Sequence, residues 1–182
     1  LDFVRLSESR YLVLLGDVSG HGLRTTFVSA MLKAVLTPKY IAENGGDDLS
    51  PADLLGWINR EVVDFTEQFP DLFIAFSACL VDTERRELTI SSAGNPLPLL
   101  HRGNQIRPVE IYGVALGVNG EAEYQETTVS LAAGESIYLF TDGVHMPERG
   151  KDRVNRDTLL EAILEVRWLE PLETLLERLK RR

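Results

Sequence analysis

The stretch that decides the reading is Tyr11–Gly22, YLVLLGDVSGHG. Leu12 to Leu15 is a short, almost wholly apolar run of the kind buried on both faces of a packed sheet, which predicts a central strand. The run stops at a carboxylate, Asp17, and two glycines, Gly20 and Gly22, follow within five residues. Glycine at those places lets backbone and bulky hydrated ligands approach where a side chain would collide. Further along, SIYLF runs into TDG and puts Asp142 in the same situation: apolar residues, an acid at the mouth, then glycine. Taken alone, either stretch is an ordinary turn signal.

Working outward from the first glycines, Phe27, Ala30, Met31, Ala34 and Val35 recur at helical spacing, predicting a helix from about Leu23 to Ala42 with those residues as its apolar face. SPADLLGWINREVVDF opens a second helix: Ser50 caps, Pro51 fits the first turn, and Asp53 stands where a capping box places an acid. Leu54, Leu55, Ile58, Val62 and Phe65 form its apolar stripe. From Leu72 the period changes to that of strands. FIAFSACLV and ELTISSA flank the turn DTERR as an antiparallel hairpin. PLPLLHRGNQIRPVEI reads as another pair around RGNQ, and YQETTVSL and ESIYLFTDG add two more strands. Helices return in RDTLLEAILEV and EPLETLLERLKRR. Helices, then antiparallel strands, then helices is not the alternation of a doubly wound parallel sheet; two packed antiparallel sheets flanked by helices fit better.

The composition narrows the classes of function. With 182 residues, 44% hydrophobic and 26% charged, the chain suits one globular domain, residues 1–182, with a sizeable core. A formal net charge of −9 disfavours nucleic acid and anionic membranes, which need clustered cations. The closing RLKRR suits the last turn of a helix, where cations complement the dipole. One cysteine, Cys79, excludes an intramolecular disulfide and multi-cysteine zinc sites and suits a reducing cytoplasm. No apolar run reaches the roughly 18 residues of a membrane span.

Carboxylates at strand ends supply oxygen ligands to hard divalent cations, and a two-metal site lowers the pKa of a bridging water and shields a phosphate under attack. Cys79 and Arg85 match the C-x5-R spacing of cysteine-dependent phosphatases. CLVDTER, however, offers no glycine-rich cradle and sets Asp82 and Glu84 where a dianion would sit. His21, His101 and His145 show no paired metal spacing; His21 and His145 follow the two aspartate turns, and a cap or turn role for His21 competes with one in orienting phosphate or water. Trp57 and Trp168 fall in helical segments and read as packing. TPKYIAENGGDDLSPAD reads either as a plain connector or as a mobile partner-reading loop.

GDVSGHG before a long helix, SSAGNPLPLL, GVALGV and LAAGESIYLFTDGV, in that order from about Asp2 to about Val144, resemble the PPM (protein phosphatase 2C-like) metal-dependent serine/threonine phosphatases, in their bacterial SpoIIE/RsbU-type branch. The resemblance implies an α+β fold, the four-layer αββα sandwich of two antiparallel sheets flanked by helices. It implies two Mn²⁺ or Mg²⁺ ions, with Asp17 bridging them, the carbonyl of Val18 adding a ligand, Asp142 holding one of the pair, and metal-activated water as nucleophile. Gly20, His21 and Gly22 would then lie on the substrate side. The implied substrate is phosphoserine or phosphothreonine on a regulatory protein such as an anti-sigma factor antagonist, with an adjoining sensor or regulatory domain.

The chain departs from the pattern at four places. It shows neither the acidic GGD expected just before Asp2 nor the acidic strand expected after the last helix, as though its extreme N- and C-terminal strands were lacking. Asn95 replaces the histidine usual after AG, and Met146 the glutamate usual in TDGVTE. These changes motivate a rival reading, a non-catalytic binding module that keeps the fold and grips a regulatory partner.

Overall fold

The computed structural model describes residues 1–44, 48–69, 71–103 and 105–144. The two last helices expected from the sequence, with His145, Met146 and Trp168, lie outside the described residues.

A five-stranded antiparallel sheet runs in the order β1 (Asp2–Arg5), β2 (Arg10–Val18), β3 (Ile74–Asp82), β4 (Glu87–Ala93), β7 (Thr127–Ser130). A three-stranded sheet has the order β6 (Gln105–Pro108), β5 (Leu99–Arg102), β8 (Ser136–Tyr138). Alternation along β2 and β3 sorts their side chains into two cores. Leu12, Leu14, Phe76, Ala78 and Leu80 join the helices in one apolar cluster. Val13, Cys79 and Val81, on the other face, join Leu88, Ile90, Leu100, Val109, Ile111, Ile137 and Leu139 between the sheets. Period-two side chains with both faces covered explain why these strands read as nearly continuous apolar runs.

The helical layer consists of α1 (Leu23–Met31), a π-helical segment (Leu32–Leu36), α2 (Thr37–Asn44) and α3 (Pro51–Thr66). The expected first helix is present, but its buried face is not the expected one. Val28, Leu32, Leu36 and Tyr40 are buried, whereas Phe27 is 60% and Val35 54% exposed. A repeat of four residues overshoots the 3.6-residue α-helical turn, so an unbroken α-helix would carry this stripe steadily around its axis. The wider π-helical segment takes up the excess and keeps Leu36 and Tyr40 on the sheet.

The cap of α3 also differs in its partner. Ser50 Oγ accepts from the Asp53 N–H at 3.1 Å, as expected of an N-cap. The acid at this helix end is Glu126, far along the chain: its Oε2 accepts from Ser50 Oγ at 2.7 Å and from the Ala52 N–H at 3.1 Å. Leu54, Leu55, Ile58 and Val62 are wholly buried, each worth about 1.5–3 kcal/mol relative to exposure.

Between β6 and β7 the chain is fastened to α3 by polar side chains. Asn59 Nδ2 donates to the Asn119 carbonyl and its Oδ1 accepts from the Gly117 N–H, both at 2.8 Å, while Thr66 Oγ1 donates to the Gly117 carbonyl at 2.8 Å. Leu116 exchanges backbone hydrogen bonds with Ile74. GVALGV is therefore a docked loop bridging helix and sheet. The strand expected over SIYLF is shorter, Ser136–Tyr138, and TPKYIAEN lies almost wholly in helix, so the connector before α3 is brief.

Candidate active site

Asp17 is the penultimate residue of β2, opposite Ala75 of β3. It continues the series Val13, Leu15, Asp17 and so lies on the face turned toward the second sheet, half-buried. Gly16 belongs to the helix face: a Cβ there would stand 2.8 Å from Phe76 Cδ2, so glycine lets the aromatic ring lie flat on the strand just before the acid. Asp2, the other carboxylate near this end of β2, pairs with Lys33 at 3.5 Å, and neither Arg85 nor Arg102, which pair with Asp82 and Glu135, is given to Asp17.

Beyond Val18 the turn is held by Ser19. Its N–H donates to the Phe73 carbonyl at 2.9 Å and its Oγ to the Asp71 carbonyl at 2.7 Å, while Oγ accepts from the Phe73 N–H at 2.8 Å. This anchor was not singled out from the sequence, where a serine in GDVSGHG looks like any turn residue; its partners lie 52 and 54 residues away. Gly20 and Gly22 have φ of 87° and 94°, a region that costs side chains strain and glycine little. His21 is exposed between the two glycines, and among the described residues no side chain caps α1. Thr25 and Thr26 instead donate their hydroxyls to the Gly22 carbonyl.

Asp142 opens a 3₁₀ turn, Asp142–Val144, rather than ending the strand directly. The register sets the end of its strand at the same rim as the end of β2. Gly16, Phe76 and Ala93 are neighbours across β2, β3 and β4, one step from Asp17. From Ala93 the chain crosses to the second sheet, where Leu99 at the start of β5 faces Tyr138 at the end of β8, four residues before Asp142. Both acids thus leave their sheets at the rim that residues 94–98 cross.

That crossing makes a second contact. Asn95 Nδ2 donates to Ser77 Oγ at 2.9 Å and to the Leu15 carbonyl at 3.3 Å, and Ser77 Oγ lies 3.2 Å from Ser92 Oγ. Serines and an amide replace the aliphatic lining between the sheets just where Asp17 stands. Asn95 Oδ1 is buried and has no hydrogen-bond partner among the described residues.

The oxygen donors at hand, the carboxylates of Asp17 and Asp142 and the Val18 carbonyl, suit magnesium or manganese and not a soft metal. Among the described residues, no group of three or more His, Cys, Asp or Glu side chains is gathered to hold an ion. Cys79 is excluded from the chemistry: burial pushes its thiol up to about 12, where it stays protonated and inert. His101 rests near the ring of Tyr138, and Trp57 packs against Tyr40 beneath the ammonium of Lys39, as packing residues do.

Residues 7–182 match the family model of Stage II sporulation protein E (SpoIIE). Phosphoserine phosphatase RsbU of Bacillus subtilis (strain 168) is 27% identical over 146 residues, covering 78% of this chain and 41% of RsbU. The chain therefore spans about two fifths of that relative's length. The structure of the SiaA-PP2C domain of Pseudomonas aeruginosa superposes with a TM-score of 0.80 at 20% identity, over 98% of this chain and 71% of that one. The catalytic domain of the serine/threonine protein phosphatase PstP, solved with two manganese ions, gives 0.64 at 18% identity, over 99% and 84%. The fold is that of the PP2C phosphatases, two antiparallel sheets with helices, as the sequence implied.

Proposed function

The chain belongs to the SpoIIE family, and from that premise we propose that it is a protein serine/threonine phosphatase domain dependent on Mn²⁺ or Mg²⁺. Its substrate would be phosphoserine or phosphothreonine on a regulatory protein, such as an anti-sigma factor antagonist. The observation that carries this reading is Asp17: a half-buried carboxylate at a sheet rim, turned toward the gap between the sheets, without a cationic partner among the described residues and where glycines keep the approach open. A strand-end carboxylate not already engaged by a protein cation is available to bind a hard divalent ion.

In this reading Asp17, the Val18 carbonyl and Asp142 hold two divalent cations. When bound, the ions would supply an activated water and screen the phosphate. The chain's own residues do the rest. Gly16 and the Ser19 anchor fix the height of Asp17 at the rim, and Gly20, His21 and Gly22 leave a side-chain-poor wall along which a phosphorylated loop can lie. RsbU extends well beyond the part matched here, which supports an adjoining sensor or regulatory domain in the whole protein. No helix among the described residues is long and apolar enough to cross a membrane, in keeping with action in the cytoplasm.

The test is phosphate release from a phosphoserine protein by the full-length protein with Mn²⁺. Activity that Asp17→Asn leaves unchanged rejects the mechanism. One observation favours the rival, a non-catalytic binding module: the described acids do not by themselves form a cluster of three. Saturable Mn²⁺ binding that depends on Asp142 would argue against it.

A further inference from the structure

We propose that Asn95 is a positioning residue for the Asp17 site, joining β2 to the crossing between the sheets through one end of its amide and accepting a hydrogen bond from site water through the other. The inference rests on the metal-dependent reading above.

The orientation of the amide is fixed by its partners. Leu15 offers a carbonyl oxygen, which can only accept, so the atom facing it at 3.3 Å must be Nδ2. Turning the amide over would set oxygen against oxygen. Nδ2 also donates to Ser77 Oγ at 2.9 Å, which uses both of its hydrogens. Oδ1 is then buried with no donor among the described residues. An unpaired buried acceptor is costly, and in native proteins it marks a place where water or an ion belongs.

The location says which water. Leu15 lies two residues before Asp17 on the same face of β2, and Asn95 stands on the connection between the end of β4 and the start of β5. The crossing at this rim is shared by the path to Asp142. A hydrated cation held by Asp17 would carry water molecules whose hydrogens point outward, and Oδ1 is an acceptor without another donor among the described residues. Asn95 thus ties the backbone beneath Asp17 to the connection between the sheets, and takes up the hydration shell of whatever ion Asp17 holds.

Removing an outer-shell partner of a metal site typically weakens metal binding about 10- to 100-fold. The experiment is calorimetric titration of Mn²⁺ into the full-length protein, with thermal unfolding followed in Mn²⁺ and in chelator. Asn95→Leu, branched at Cγ like asparagine but unable to hydrogen-bond, should weaken Mn²⁺ binding at least about tenfold and shrink the rise in Tm that Mn²⁺ produces. A purely structural amide would lower Tm equally in both buffers and leave the affinity alone, which would overturn the proposal. Should the leucine variant not fold, Asn95→Ser, whose hydroxyl is too short to span to Leu15, is read the same way. Asp17→Asn is the control. Its loss of Mn²⁺ binding beside unaltered binding in the Asn95 variants refutes only the role of Asn95; binding that survives Asp17→Asn refutes the metal reading itself.

Discussion

The two ends of β2 carry the same kind of residue to opposite effect. At one end Arg10 lies opposite Asp82, and Asp82 accepts from the Arg85 N–H at 2.8 Å and faces the Arg85 guanidinium at 3.8 Å, closing the hairpin turn. At the other end Asp17 lies opposite Ala75, with glycines following and no cation assigned to it by the ion pairs among the described residues. A strand-end acid surrounded by its own donors is structural. In the proposed function, the one left without them is the acid that takes a cation.

Exchanging the two acids for their amides breaks the comparison most sharply. Asp17→Asn should lower Mn²⁺-dependent phosphate release more than about 100-fold, beyond the usual effect of losing an outer-shell contact, whereas Asp82→Asn should leave it near the parent rate. The assay is release of inorganic phosphate from a phosphoserine protein by the full-length protein, with chelator abolishing and added Mn²⁺ or Mg²⁺ restoring it. Equal losses in both variants would mean that the rims do not differ in function.

How far the sequence could lead follows from how local each device is. The hairpin Ile74–Asp82 and Glu87–Ala93 was legible almost to the residue because alternation and the turn DTERR lie within one short window. Asp17, Gly20 and Gly22 were legible as a strand end and a glycine turn for the same reason. The buried face of the first helix was misread because a 3.6-residue period was assumed where a π-helical segment intervenes, so Phe27 and Val35 were placed inside and Leu32 and Leu36 were overlooked. Glu126 at the α3 cap, Ser19 at the turn and Asn95 beneath Asp17 were hidden for another reason. Their partners are 76, 52 and 80 residues distant, and no local pattern encodes a contact made only when distant parts of the chain pack together.

The second expected effect concerns what holds the rim rather than what reacts there. Asn59 is wholly buried and makes two hydrogen bonds to the loop that pairs Leu116 with Ile74 at the start of β3. Asn59→Leu leaves a buried N–H and a carbonyl without partners, at about 1–3 kcal/mol each. Chemical denaturation should show a loss of about 2–5 kcal/mol on that basis, with Mn²⁺ affinity falling only as the folded fraction falls. A selective loss of metal binding at full stability would instead place this loop within the site.

Gly16→Ala should act more weakly and between the two cases. The new methyl would meet the buried Phe76 ring at 2.8 to 3.0 Å, and overpacking of this kind costs about 1–3 kcal/mol. Because Gly16 adjoins Asp17, activity should drop with stability, and Phe76→Leu in the same chain should recover both by vacating the ring's place. Recovery of stability without activity would show that the ring itself, and not the strand's position, matters to the acid.

The smallest effect belongs to the structural rim, and its size follows from what Asp82 does. Asp82→Ala removes a 2.8 Å hydrogen bond from the Arg85 N–H and an ion pair whose arginine is largely exposed. Exposed pairs are worth roughly 0–1 kcal/mol because water and salt screen them, and an exposed turn N–H finds water when its protein acceptor goes. The turn also keeps Arg86 at a φ of 56°, a conformation that a non-glycine residue adopts reluctantly. Together these give a loss of about 0.5–1.5 kcal/mol in denaturation, reduced in high salt, with phosphate release unchanged. If activity fell at this distance with stability nearly intact, the charge at one end of β2 would be coupled to the other, and the division of labour between the rims would fail.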